Sequence, residues 1–173
     1  MKRIIIISIL AAILLSLCSC DTKSIKKADI IRIHIRANSN SSEDQEIKYI
    51  VKDSIVEYIT PLSNEVSTKA EMYKLLSENM DSILETAEAT LESEGYEYGA
   101  NIRLDKEMFP LRSYDGVTFE SGEYDALIIE LGSGTGDNWW CVAYPPLCFI
   151  AASDNGTDDF EYKSKILEMF RKE

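Results

Sequence analysis

Four cysteines, one histidine and a run of alternate glycines are the residues here whose types and spacing could do chemistry. A thiol acts as a nucleophile only beside a base, and the one base of the usual kind is His34. Nothing in the spacing brings His34 to Cys141 or Cys148. An even pair of cysteines in an exported chain reads first as a disulfide, Cys141 with Cys148. The loop it closes is short, so the chain-entropy contribution is about 2.5 kcal/mol. Zinc is not expected, because Cys141, Cys148 and His34 offer three ligands where a structural site takes four. The absence of a Cys-x-x-Cys pair argues against thioredoxin-like redox work. No cofactor is implied. Gly132, Gly134 and Gly136 permit close backbone approach, but their pattern is neither a Walker loop nor a dinucleotide fingerprint. They also lead towards a strand, so the amide groups of a helix start are missing. A hairpin loop, mobile or tightly folded, is the expected role.

The ends and the charge bound the function further. Lys2 and Arg3 precede an aliphatic run from Ile4 to Cys18, the layout of a secretory leader. That run is shorter than the roughly 20 residues that span a bilayer. Leu17-Cys18-Ser19-Cys20 resembles a lipobox with Cys20 as acceptor, although Cys18 replaces the more usual small residue. The organisation expected is a leader of the lipoprotein kind over 1–19, a tether over 20–29 and one extracytoplasmic domain over 30–173. An ordinary leader with incidental cysteines is the alternative. The chain has 18 basic and 30 acidic residues, a net charge of −12. Loss of Lys2 and Arg3 with the leader leaves 16 against 30, or −14. Such a surface repels phosphate backbones, so nucleic acid is not an expected partner.

Elements able to position these residues follow from periodicity. Ile31, Ile33 and Ile35 alternate with Arg32, His34 and Arg36, as in a half-buried strand with a polar outer face. Ser42 with Gln45 reads as a capping box for a helix ended near Ile59 by Pro61, and Thr68 with Glu71 as a second, opening one long helix that ends before Gly95. Strands are expected over 98–105, broken at Met108-Phe109-Pro110, then over 117–120, 124–131 and 139–144. The nearly apolar run from Ala126 to Leu131 suits a central strand covered on both sides. A last helix is expected over 158–171. The order β-α-α-β-β-β-β-α predicts an α+β domain, a mainly antiparallel β-sheet with helices packed on one face.

Trp139 and Trp140, adjacent in a strand, must point to opposite faces. Either one faces out as an interface anchor, or both are covered and belong to the core. Pro145, Pro146 and the nearby cysteine pair would stiffen this edge, and rigid display limits the entropy lost on binding.

Two stretches carry a resemblance. Arg36-Ala37-Asn38-Ser39 with Glu43-Asp44-Gln45, and Asn138-Trp139-Trp140-Cys141 through Pro145-Pro146-Leu147-Cys148-Phe149, resemble the stage II sporulation protein R family of endospore-forming bacteria. Phe109-Pro110 and Ser121-Gly122-Glu123-Tyr124 are similar too. The resemblance implies a signalling protein, not an enzyme. Members are exported into the space between forespore and mother-cell membranes, where they trigger a membrane-embedded aspartic protease, stage II sporulation protein GA. That protease then processes the precursor of sigma factor E. Expected contacts with it are Gly132, Gly134, Gly136, Asn138, Trp139, Trp140, Tyr144, Pro145 and Pro146, with a second attachment to the membrane through Cys20. The competing class is an extracytoplasmic enzyme acting on cell wall or peptide, with Glu120, Glu123 and Asp125 as acid and base. A generic ligand-binding or structural lipoprotein is the third.

Overall fold

Six strands and three helices account for most of the residues described by the computed structural model, which are 27–114, 117–146 and 148. In chain order they are β1 (Ile31–Arg36), α1 (Ser42–Ser63), α2 (Lys69–Glu78), α3 (Met80–Ser93), β2 (Ala100–Phe109), β3 (Arg112–Tyr114), β4 (Val117–Phe119), β5 (Gly122–Leu131) and β6 (Asn138–Tyr144). A single 3-10 turn, Lys27–Asp29, precedes β1, so the end of the expected tether is ordered structure. The expected last helix over 158–171 lies outside the described residues.

The main sheet has the order β2-β5-β1-β6. It is mixed: β1 runs parallel to β5, while the β2–β5 and β1–β6 pairs are antiparallel. The fold is α+β. β3 and β4 form a separate two-stranded ribbon. As the unbroken apolar run implies, β5 lies inside the sheet, and Ala126, Leu127, Ile128 and Ile129 are buried.

Helix boundaries depart from the sequence reading in three places. Ser41, one residue earlier than expected, caps α1 by accepting from the Asp44 amide. Gln45 does not complete the box; its amide donates instead to Ser39 O at 2.8 Å. Pro61 lies inside α1, two residues from its end, where the missing N–H costs one bond of the final turn. The long second helix is two, divided at Asn79, whose side chain donates to Leu75 O at 2.8 Å and accepts from Tyr58 OH at 3.0 Å. A side chain that satisfies both the preceding carbonyl and a neighbouring helix makes the break affordable. The Thr68–Glu71 capping box is present as read.

One buried cluster joins Ile31, Ile33 and Ile35 of β1 and Leu127, Ile129 and Leu131 of β5 to the inward stripes of α1, α2 and α3. Each such aliphatic side chain contributes roughly 1.5–3 kcal/mol on burial. A second cluster forms on the alternate positions, with Phe109, Phe119, Tyr124, Ala126, Ile128 and Val142. This corrects the reading of β1. Arg32 and His34 do not face solvent; both are completely buried.

Candidate functional site

Both distinctive stretches of sequence meet at one end of the sheet. The turn after β1, residues 37–41, lies against the loop of residues 132–137 that joins β5 to β6. Gly136 N donates to Ala37 O at 2.8 Å, and Asp137 N donates to Asn40 Oδ1 at 2.6 Å. Ser133 N donates to Asn38 Oδ1 at 2.9 Å, while the Ser133 and Thr135 hydroxyls donate to Asn38 O at 2.7 and 2.9 Å. The two approaching backbones leave no room for side chains. A Cβ on Gly132 would strike Asn38 Oδ1, and one on Gly136 would strike Ser39 O. Gly132 and Gly134 also have positive φ, 55° and 61°, which a residue with a Cβ adopts only at a cost. The loop is tightly folded, but it is not the expected hairpin: β1 lies between β5 and β6 in the sheet, so residues 132–137 cross over the end of β1.

Beneath the turn sits Asp44, buried in the first turn of α1. Its carboxylate accepts from Asn38 Nδ2 at 2.9 Å, Ser39 Oγ at 2.5 Å and Tyr98 OH at 2.6 Å. Burial raises the carboxyl's pKa, but these donors outweigh it and hold the group below its ordinary value. Burial and the adjacent carboxylate together push the Tyr98 phenol up, so it stays a donor. Lys48, one helical turn on and also buried, donates to Asp137 O at 3.0 Å and Gln45 Oε1 at 2.6 Å. Burial lowers its pKa and the Asp137 charge opposes that shift. Asn38, Ser39, Asp44 and Gln45, chosen from sequence as motif letters, thus hold the loop.

Along β6 the other site residues separate. Trp139 lies on the side of the helix cluster, with Lys52 Nζ 5.8 Å from its ring. Trp140 lies on the opposite side, its ring 4.9 Å from Phe109 and 4.7 Å from His34, with the Arg112 guanidinium 5.7 Å away. Both rings are half-buried, so each is neither wholly core nor wholly displayed. Asn138 pairs with Arg36, and its Oδ1 is buried without a hydrogen bond. Tyr144 OH donates to Ser67 O at 2.8 Å. Pro145 is buried after a cis peptide bond and Pro146 is half-buried. Cys141 and Cys148 are joined in a disulfide, their Cα atoms 6.1 Å apart. Cys20 and Phe149 lie outside the described residues.

Sequence reasoning missed the polar face. The Arg36 guanidinium binds both Glu107 and Glu130, the latter at 2.7 Å, and Arg103 binds the same two carboxylates at 2.8 and 2.9 Å. Burial raises Glu130, but Arg103 and Arg36 hold it below the ordinary carboxylate value. His34 stands beside this ring of charges, 3.9 Å from Glu107, with neither ring nitrogen hydrogen-bonded. Burial, with Arg36 and Arg103 nearby, lowers its pKa to about 3. The only signal for this ring in the sequence was the alternation of charges in β1 and β2, which is equally that of a solvated face.

The pair His34 and Cys141 does not form. In register His34 faces Trp140, and Cys141, one position on, lies on the other face and is consumed by the disulfide. Asp125 is bound to Lys69 at 2.6 Å, while Glu120 and Glu123 are exposed. Among the described residues no group of three or more His, Cys, Asp or Glu is placed to hold a metal ion. Two surface clefts, of about 340 and 530 Å³, lie among the helices, and neither is lined by a residue of either motif.

The class these features define is a small α+β domain that presents a bonded loop pair and an aromatic strand edge. The family profile of stage II sporulation protein R matches residues 27–154. The stage II sporulation protein R of Bacillus subtilis (strain 168) is 36% identical over 124 residues, which cover 72% of this chain and 55% of that protein. The chain therefore belongs to the stage II sporulation protein R family. It spans about half the length of the curated relative it matches. No solved structure matches the fold. The family is named for a stage of sporulation, not for a reaction.

Proposed function

We propose that this chain is an exported sporulation signal, without catalysis of its own. It activates the membrane-embedded aspartic protease stage II sporulation protein GA, which then processes the sigma factor E precursor. The leader over 1–19 carries it into the space between forespore and mother-cell membranes, and Cys20 holds it to a membrane there. One observation carries the reading: Asn38 of the first resemblance stretch is hydrogen-bonded to the glycine loop that leads into the second, and Arg36 of the first lies beside Asn138 of the second in the sheet, so the two stretches adjoin in one pre-shaped surface. A pre-shaped loop loses little entropy on binding, which suits a ligand that must favour one state of its receptor. The contact surface is the 132–137 loop with the β6 edge from Asn138 to Pro146.

Co-expression with the protease and the sigma precursor in a non-sporulating host tests this. Precursor cleavage that requires this chain is the expected result; no cleavage with all three partners folded and this one exported would remove the signalling role. Thr135→Arg, at an exposed loop position, should abolish cleavage without loss of folding. Full cleavage by both Thr135→Arg and Trp140→Ala would leave the signal standing and overturn the contact surface.

A further inference from the structure

The end of the sheet opposite the glycine loop carries the two most exposed large apolar side chains among the described residues. Met108 is 66% and Leu111 is 57% exposed, on either side of the buried Phe109 and the half-buried Pro110. Isolated exposed apolar residues are ordinary, but two within one tight connection at the tip of an edge strand form a protrusion.

The described chain also begins at this end. Lys27 Nζ donates to Ser121 O at 2.5 Å, and the next residue, Gly122, is the register partner of Phe109. Lys27 therefore lies at the end of the sheet that carries Met108. Only six residues separate Lys27 from Cys20, a reach of roughly 25 Å when fully extended.

The local charge differs from that of the whole molecule. Among the described residues, Lys27, Lys106 and Arg112 are exposed here, with Asp29, Asp105, Glu120 and Glu123 as the exposed carboxylates. Three cations against four carboxylates leave this end far less acidic than a chain of net charge −12. Elsewhere the acidic surface is repelled by anionic headgroups; here that repulsion is weak.

We propose that this end rests on the outer membrane surface that holds the leader, with Met108 and Leu111 in the headgroup layer and Lys27, Lys106 and Arg112 against lipid phosphates. The apolar tips enter the interface, as side chains of interfacial segments do, and the long cationic side chains reach the phosphates around them. The glycine loop, at the opposite ends of β1 and β5, then points away from that membrane. The proposal rests on the reading of the leader as a membrane attachment, and it commits to lipid as the partner of this patch.

Met108 is its own probe, because an exposed methionine is oxidised by peroxide to the sulfoxide and a covered one is not. The full chain, carrying a specific protease site within residues 21–26, is reconstituted on phosphatidylcholine–phosphatidylglycerol vesicles. Vesicle flotation is scored first. Met108 oxidation is then followed by peptide mass spectrometry before and after the linker is cut, with buried Met72 as the internal reference. The expected result is oxidation roughly threefold or more slower before cutting than after it. Met108→Asp with Leu111→Asp should leave flotation intact and speed amide exchange across residues 106–112 of the held chain. A floating chain whose Met108 oxidises equally fast before and after cutting keeps the attachment and overturns the orientation. A chain that does not float removes the attachment and the orientation together. Protection that persists after cutting and grows with protein concentration assigns the patch to a second copy of the chain and overturns lipid.

Discussion

The two faces of the sheet are buried by different physics, although they share every strand. On one, Ile31, Ile33 and Ile35 meet leucines and isoleucines of β5 and the stripes of three helices, and burial of apolar surface is the whole account. On the other, the alternate residues of the same strand are Arg32, His34 and Arg36. Arg32 is held with its guanidinium 4.6, 5.3 and 5.4 Å from the rings of Phe109, Tyr124 and Phe119, and its Nε donates to Cys141 O at 3.0 Å. Arg36 is neutralised by two carboxylates. A charged face can thus be internal when aromatic rings and opposite charges replace water. The apolar face is held by burial alone; the polar face is held by ion pairs and aromatic rings, and it still contains His34 without a hydrogen bond on either ring nitrogen.

That contrast makes graded predictions. Ile33→Ala opens a cavity on the apolar face and should cost about 2–5 kcal/mol in urea unfolding. An equal loss from an isosteric polar change elsewhere would blur the distinction; a loss under about 1 kcal/mol would show that the core can collapse around the site.

The second prediction concerns pH. His34 has a folded pKa near 3, below its unfolded value of about 6.5. The unfolded chain then binds the proton first, so the contribution of a neutral His34 is fully present above pH 6.5 and is lost as pH falls towards 3. By pH 4 the loss should be on the order of 3 kcal/mol. The charged groups facing it are Arg32, Arg36, Arg103, Glu107 and Glu130, and Asp44 and Glu130 add acid sensitivity at lower pH. Stability measured from pH 7.5 to 4 for wild type and His34→Leu checks this, and parallel curves would show that His34 is not the titrating group.

The smallest effect belongs to the rim of the polar face. Glu107→Gln removes one of two carboxylates shared by Arg36 and Arg103, where partial exposure screens the loss. A cost of about 1 kcal/mol is expected, with Glu107→Gln and Glu130→Gln together costing more than the sum of the singles. Additivity in that double-mutant cycle would mean that the four side chains act as separate pairs.

Much of the architecture was legible because it rests on local rules. The alternation in β1, the capping box at Thr68 and Glu71, and the apolar run of β5 each express a period or a donor count within a few residues. The candidate surface was half legible. The glycines and tryptophans stood out by composition, while the reason for the glycines, the backbone of residues 37–41 pressed against them, lies nearly a hundred positions away in the chain. Asn79 illustrates the same limit in the helices, since the break depends on Tyr58 from a different helix.

By itself the sequence determined most of the element types among the described residues, the two motifs that place the chain in its family, and the opposite facing of Trp139 and Trp140, because each follows from short-range geometry. Only the tertiary structure decided that Arg32 and His34 are internal and that the two motifs form one surface. Alternation says which residues share a face; whether water or an aromatic ring covers that face is settled by segments distant in sequence, such as Phe109 and Phe119.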